Sequence, residues 1–127
     1  MNPAPGFKQY PKHHVATRPS SAHVRVMYNG ELIADTHDAV ELQEDMPKGS
    51  KTVAPVVYYV PRKDVKMDKL VRSSHSTHCP FKGDASYFSV QGGPIDAVWS
   101  YEAPYDEMTS IKDRLAFYPD KFEIEPS

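Results

Sequence analysis

The sequence contains a single cysteine among its 127 residues. One thiol cannot form an internal disulfide, and it cannot supply the several thiolates that a structural zinc site requires. A free thiol is typical of a reducing compartment. We therefore expect a cytoplasmic protein without a disulfide framework.

Long apolar runs and an excess of basic residues are also missing. No stretch approaches the roughly 20 apolar residues that a membrane-spanning helix needs, and the first residues contain no apolar run typical of a signal peptide. The 15 basic residues are balanced by 17 acidic ones, for a formal net charge of −2. Because nucleic-acid binding usually needs a basic face, we expect neither nucleic acid nor a membrane as a partner. The oligomeric state stays open.

Proline is concentrated at the beginning of the chain. Residues 1–22 hold four prolines with small residues between them, and proline both fixes φ and removes a hydrogen-bond donor. We expect an extended, Pro-rich N-terminal arm over residues 1–22, without regular structure. The remaining residues, 23–127, have the length of one domain.

Short segments with strand patterns fill that domain. Alternating residues on both sides of Asn29-Gly30 predict a hairpin, because this dipeptide suits a type I′ turn. Proline-bounded or alternating segments predict further strands at residues 39–42, 56–60, 86–91, 96–101, 116–118 and 121–125. A short helix is expected after Pro61, and apolar spacing predicts a second over residues 105–115. The expected fold class is mainly β with α+β character.

The stretch HSTHCPFKGDASYFSV, residues 75–90, concentrates the reactive side chains. Cys79 has three interpretations: a buried small apolar residue, a nucleophile or redox centre, or a metal ligand beside His75 and His78. A catalytic role would need His78 as base and Lys82 as electrostatic support. A metal site would need further ligands from elsewhere, so we assign neither a metal nor a cofactor.

Lys82 occupies a Pro-Phe-Lys-Gly turn directly before a strand. It is either a solvated turn residue or a cation directed at a carboxylate or phosphate group of a ligand. Gly83 permits close approach of a ligand, although a tight turn explains this glycine equally well.

Aromatic residues gather on the two strands that follow. Trp99 and Tyr101 are two apart and share one face, and Tyr87 joins them if the two strands pair in a hairpin. This aromatic wall either fills a core or lines a pocket, with Tyr58, Tyr59 and Arg62 at its rim. The candidate ligand-binding residues are Lys82, Arg62, Thr77, Tyr58, Tyr87, Trp99 and Tyr101.

Two motifs resemble a known family. They are Thr-x-Cys-Pro-x-Lys-Gly-x-Ala-x-Tyr at residues 77–87 and Trp-x-Tyr-x-x-Pro at residues 99–104. With the segments 24–44 and 56–70, they resemble the bacterial and fungal family catalogued as domain of unknown function four-two-seven, over residues 24–124. The resemblance implies a strongly bent antiparallel sheet, similar to the tent-like fold of the Mss-four and methionine-sulfoxide-reductase-B group. It implies no established activity.

The same family also carries a nucleotidyltransferase-like label, which the residues do not support. Nucleotide transfer usually holds two metal ions on paired carboxylates behind a Gly-Ser turn. Gly49-Ser50 is present, but no Asp-x-Asp or Asp-x-Glu pattern follows it. The pairs Glu41/Glu44 and Glu123/Glu125 lie in the wrong context.

Three functions from different classes remain. The first is binding of a small anionic or polar ligand in a pocket beside the turn between Cys79 and Lys82. The second is an enzyme that uses Cys79 as nucleophile or redox centre, with His78 and Lys82. The third is a protein-interaction module whose exposed tyrosines contact a partner.

Overall fold

Ten strands in three antiparallel sheets make up most of the computed structural model, which describes residues 3–6, 15–44 and 56–127. The first five strands are β1 (Val15–Pro19), β2 (Val24–Tyr28), β3 (Glu31–Thr36), β4 (Val40–Glu44) and β5 (Val57–Tyr59). The last five are β6 (Leu70–Cys79), β7 (Gly83–Val90), β8 (Val98–Tyr101), β9 (Leu115–Phe117) and β10 (Glu123–Pro126). The expected fold class, mainly β with α+β character, is confirmed.

The three sheets have simple antiparallel orders. The first sheet is β1-β4-β5, the second is β10-β2-β3, and the third is β6-β7-β8-β9. Three short 3-10 helices complete the described elements: Arg62–Asp64, Met67–Lys69 and Asp106–Ile111. None of the helices in the described ranges is long and apolar enough to cross a membrane.

The β2–β3 hairpin forms where the sequence predicts it. Asn29 and Gly30 both have positive φ, 49° and 77°, as a type I′ turn requires. Strand β10 pairs with the other edge of β2 and places Ile124 opposite Val26. The chain end therefore completes the second sheet.

Strand alternation gives the third sheet two different faces. Tyr87 pairs with Trp99, and Phe88 pairs with Val98. The Tyr87 face packs on the first sheet, in a core cluster that includes Leu42 and Tyr59. The Phe88 face packs on the second sheet, in a cluster that includes Val24, Val26 and Ile33. The third sheet is therefore the middle layer.

The N-terminal residues correct one expectation. Val15–Pro19 forms β1 and pairs with β4 in the register Val15 to Glu44, so the absence of regular structure predicted for residues 1–22 is wrong for this segment. Its only proline is the last residue, Pro19, at an edge position that proline tolerates. Residues 3–6 also contact the body, since the Gly6 N–H donates to Pro80 O at 2.8 Å. Gly49-Ser50 lies outside the described residues.

Strand β6 and the predicted second helix are two further corrections. The polar sequence of Leu70–Cys79 gives no strand signal, yet it forms the edge of the third sheet with most of its side chains exposed. The helix predicted over residues 105–115 is instead a 3-10 helix, Asp106–Ile111, interrupted at Met108. Its buried Met108 and Ile111 account for the apolar spacing, while Leu115 already belongs to β9.

Candidate functional site

The β6–β7 turn directs Lys82 inward, onto the Tyr87 face of the third sheet. The Lys82 N–H donates to Cys79 O at 3.3 Å, and Lys82 O accepts from the Tyr105 N–H at 3.1 Å. Gly83 follows with a φ of +114°, a conformation that residues with a Cβ rarely adopt. Phe81 is buried as well. The turn is therefore held from both sides by packing and backbone hydrogen bonds.

Lys82 is the most buried lysine or arginine in the described part of the chain, with 9% of its surface exposed. Its Nζ donates to Glu44 Oε1 and lies 6.0 Å from the centre of the Tyr101 ring. The Glu44 side chain is 35% exposed, so solvent reaches the pair from the Glu44 side. A buried ammonium needs such a partner, because desolvation of an unpaired charge is very costly.

Two buried tyrosines lie next to this ion pair. The Tyr59 ring is 6.3 Å from Trp99 and 6.4 Å from Tyr101, and Trp99 Nε1 donates to Tyr59 Oη at 3.2 Å. Burial raises the pKa of both Tyr59 and Tyr101 well above the usual range. Both hydroxyls therefore stay protonated at neutral pH and can donate hydrogen bonds.

The aromatic face continues to the edge strand. Tyr87 Oη and Thr77 Oγ1 are 2.9 Å apart, and the His75 ring centre is 4.6 Å from the Tyr87 ring. The Tyr118 ring centre lies 4.5 Å from the Trp99 ring centre. Burial and a hydrogen bond with Tyr87 raise the pKa of Tyr118 to about 12. Tyr87, Trp99 and Tyr101 thus share one aromatic face, as strand alternation predicts.

Cys79 and His78 point to opposite sides of β6. Cys79 is half-buried and packs against the same cluster as Tyr59 and Tyr101. His78 Nδ1 lies 2.7 Å from Asp84 Oδ1, and its ring contacts Tyr105 edge-on at 6.2 Å. Because adjacent strand residues face opposite ways, His78 is not placed to act as a base for Cys79.

A metal site around Cys79 has no geometric support among the residues that the structure describes. His75 contacts Tyr87, on the opposite side of the strand from His78. In the described ranges, no three His, Cys, Asp or Glu side chains are arranged to hold a metal ion.

Arg62 lies on the other face of the third sheet, apart from Lys82. Its guanidinium donates to Glu102 Oε2 at 2.9 Å and to Ser100 Oγ at 3.2 Å. Arg72 binds the same carboxylate through two hydrogen bonds of 2.8 and 2.7 Å. Both guanidinium groups lie over the Phe88 ring. This network joins the 3-10 helix after β5 to β6 and β8, so Arg62 has a structural partner instead of a place on the rim.

The hydrogen bonds to Glu102 should stabilise the fold at neutral pH and lose this effect in acid. Hydrogen bonds from Arg72, and then from Arg62, hold the pKa of Glu102 at about 2, below its ordinary 4.5. A depressed carboxyl pKa contributes stability above the unfolded pKa, and this contribution disappears as pH falls from about 4.5 to 2. Glu102→Gln should lower the free energy of unfolding by about 1–2 kcal/mol at pH 7, because partial solvent exposure screens the pair.

Urea unfolding between pH 7 and pH 2.5 measures this difference. The difference in free energy of unfolding between wild type and Glu102→Gln should decrease as pH falls. Glu123→Gln, at an exposed position of β10, should have the stability of the wild type at every pH. A gap that stays constant with pH would contradict the assigned role of Glu102.

Tyr58 is separated from Lys82 as well. It lines an apolar cavity that Trp99 also borders, whereas neither Lys82 nor Cys79 reaches that cavity. The structure therefore divides the predicted ligand-binding residues into three groups: Thr77, Lys82, Tyr87, Trp99 and Tyr101 on one face, Tyr58 in the cavity, and Arg62 behind the sheet.

Sequence reasoning missed Glu44 as a site residue and underrated Tyr59. Glu44 ends β4, and β4 approaches the Lys82 turn only after the first sheet packs on the third. No local sequence pattern predicts the contact between Glu44 and Lys82. Strand alternation does distinguish Tyr58 from Tyr59, but it does not tell which of the two turns toward Lys82.

Comparison of the sequence with known proteins tests the family resemblance of the two motifs. A search among curated proteins finds no match to this chain. The profile named NTP_transf_9 and described as "Domain of unknown function (DUF427)" matches residues 16–126. The match spans most of the chain and includes all ten strands except the start of β1. The chain therefore belongs to the DUF427 family.

Proposed function

We propose that the protein binds a small polar ligand at the Lys82 face, defined as Lys82, Glu44, Tyr59, Tyr101 and Cys79. The ion pair between the buried Lys82 and the partly exposed Glu44 carries this proposal. Desolvation of the Lys82 ammonium is costly, so this position would rarely add net stability compared with an apolar residue of the same size. Charged groups in such settings concentrate at functional sites, which supports a role beyond packing.

The charges on the Lys82 face favour a polar ligand over a simple anion. Glu44 already neutralises Lys82, so an anion would have to displace the carboxylate. A neutral or zwitterionic ligand avoids this cost. Its acceptor group can accept a hydrogen bond from the Lys82 ammonium while its donor group donates one to the Glu44 carboxylate. Tyr59 and Tyr101 are only 1% and 7% exposed, so they support the ion pair from the inner side, where their protonated hydroxyls can donate hydrogen bonds.

The other two hypotheses have less support. The enzyme alternative loses the base that His78 was expected to supply, since that ring faces Asp84 on the other side of β6. Among residues 3–6, 15–44 and 56–127, no contact singles out an interaction surface for a protein partner. A cytoplasmic location remains our prediction from the single thiol.

A thermal-shift screen tests the proposed function. Wild-type protein would be screened against a library of small amides, amino acids and carboxylates, and the affinity of each stabilising compound would then be measured by calorimetry. Lys82→Met and Glu44→Gln should each weaken binding at least tenfold. Lys63→Met removes an exposed lysine, 67% accessible and paired with Asp38, and should leave binding unchanged.

Two results would contradict the proposal. One is equal affinity of wild type and Lys82→Met for every stabilising compound. The other is a set of ligand-induced amide shifts, in a heteronuclear NMR spectrum, that avoids residues 42–44, 79–85 and 99–101. Glu44→Gln keeps the test informative if Lys82→Met fails to fold, since the glutamine preserves the volume of Glu44.

A further inference from the structure

An apolar cavity of about 440 Å³ opens beside Trp99, apart from the Lys82 face. Strands β2, β5, β8, β9 and β10 contribute to its walls, together with the residues that follow β9. Its main lining side chains are Val26, Tyr58, Trp99, Phe117, Tyr118 and Ile124. This site lies where the edges of the first and second sheets approach the end of the third.

The cavity is too large to be a packing defect. Protein interiors are close-packed, with few voids larger than a water molecule, and each unfilled volume lowers stability. The floor is rigid core, because Val26 and Val60 are 1% and 0% exposed. The rim is open to solvent, since Tyr118 is 37% and Val56 38% exposed. A rigid floor and an open rim are the features of a preformed binding site.

The chemistry of the walls limits what can bind. The eleven lining residues within the described part of the chain are all uncharged, and the one indole N–H, on Trp99, already donates to Tyr59. Water gains few hydrogen bonds in such a site, so an apolar molecule displaces it favourably. Two tilted aromatic rings, Trp99 and Tyr118, and two prolines offer flat surfaces. The volume lies in the range of about 300–1,000 Å³ typical of small-molecule sites.

We infer that this cavity binds a small uncharged aromatic molecule, independently of any ligand at the Lys82 face. Lys82, Glu44 and Cys79 do not line the cavity. Trp99 lies between the two sites: its ring borders the cavity, and its N–H donates to Tyr59.

The single tryptophan of the chain makes the inference directly measurable. The full chain would be titrated with N-phenyl-1-naphthylamine, an uncharged aromatic probe whose emission rises in apolar sites. Saturable quenching of Trp99 with a matching rise in probe emission is expected, with a dissociation constant in the micromolar range. Unlabelled naphthalene should displace the probe.

Matched variants separate the cavity from other surfaces. Ile124 is half-buried in β10, so Ile124→Phe fills the cavity and should weaken probe binding at least tenfold, whereas Ile124→Ala enlarges it and should retain binding. Val71→Phe adds the same ring at a position of β6 that is 51% exposed, and should change the affinity less than twofold. Lys82→Met should also change it less than twofold, which keeps this test distinct from that of the proposed function.

The inference fails if wild type shows no saturable quenching, or if Ile124→Phe binds the probe as wild type does. If Ile124→Phe loses its native circular-dichroism spectrum, the binding site of the probe can be located instead by methyl NMR of the wild type. Probe-induced shifts at Val26 and Val60 support the cavity, and shifts confined to other methyl groups overturn it.

Discussion

Leu115→Ala is expected to lower the free energy of unfolding by about 3 kcal/mol, within the range of about 2–5 kcal/mol observed when a fully buried leucine is truncated. Leu115 is 0% exposed and belongs to the core cluster between the second and third sheets. Its backbone also exchanges two hydrogen bonds of 2.8 Å with Val60, which follows β5. The residue therefore lies where the chain after β5 meets β9.

The expected loss comes from the cavity that the alanine leaves. Leu115 shares its core cluster with Val98 of β8 and with Val60, which follows β5, and both are 0% exposed. Val98 is held by its pairing with Phe88 and Phe117, and Val60 by its bridge to Leu115, so neither can move far into the space that the alanine leaves. Because the two backbone hydrogen bonds with Val60 do not involve the side chain, the fold itself should survive the substitution.

Urea unfolding followed by circular dichroism measures this effect. The midpoint should fall while the slope stays near that of wild type, since the area exposed on unfolding changes little. Val71→Ala, at a position 51% exposed, should change stability by less than about 0.5 kcal/mol. A loss below about 1 kcal/mol for Leu115→Ala would show that the site collapses more freely than its packing suggests.

The parts of the fold that the sequence predicts are those with local causes. Asn29-Gly30 fixes the β2–β3 hairpin through the φ values of two adjacent residues. Alternation in residues 86–91 and 96–101 likewise predicts which side chains share a face, and Tyr87 does pair with Trp99. These signals need no knowledge of the rest of the chain.

The parts that the sequence does not predict depend on distant partners. Strand β1 exists because β4 offers it an edge, and β6 has a polar sequence because it is itself an edge with exposed side chains. The helix after Tyr105 is a 3-10 helix because the chain must reach β9 within a few residues, and Asp113 takes a φ of 63° on the way. Apolar spacing alone does not distinguish these cases.

The same division applies to the candidate site. The turn places Lys82, and alternation puts Tyr87, Trp99 and Tyr101 on one face, so these four positions follow from local pattern. Glu44 joins only through packing of the first sheet on the third. Arg62 was expected at the rim, but the 3-10 helix that begins at Arg62 after Pro61 carries it to the opposite face, where Glu102 binds it. Long-range packing therefore decides which charges meet.

Gly83→Ala is the second substitution with a large expected effect, a loss of about 2–3 kcal/mol. Gly83 has a φ of +114°, and a Cβ there would lie 3.3 Å from Ala103 O and 3.4 Å from Pro104 Cα. The conformation is strained for any residue with a Cβ, and the neighbouring atoms are backbone that cannot move aside. The strand would shift away from Ala103 and take Lys82 with it.

Gly92→Ala is the matched control for this prediction. Gly92 has a φ of +70°, and nothing lies within 4 Å of the position that a Cβ would take. Its substitution should therefore carry the conformational cost alone, about 1 kcal/mol. The difference between the two variants in urea unfolding measures the contact with Ala103 and Pro104 together with the greater backbone strain of φ +114° over +70°. Equal losses of stability in the two variants would show that β7 can move away from Ala103 without a cost in free energy.

Gly83→Ala also tests why glycine follows Lys82. If the glycine serves the turn, the variant should lose stability and bind compounds of the Lys82 face more weakly, because Lys82 no longer meets Glu44. If the glycine only makes room for a ligand, the variant should keep wild-type stability and lose affinity alone. Calorimetric titration of both glycine variants separates these outcomes. The positive φ and the backbone contacts lead us to expect the first.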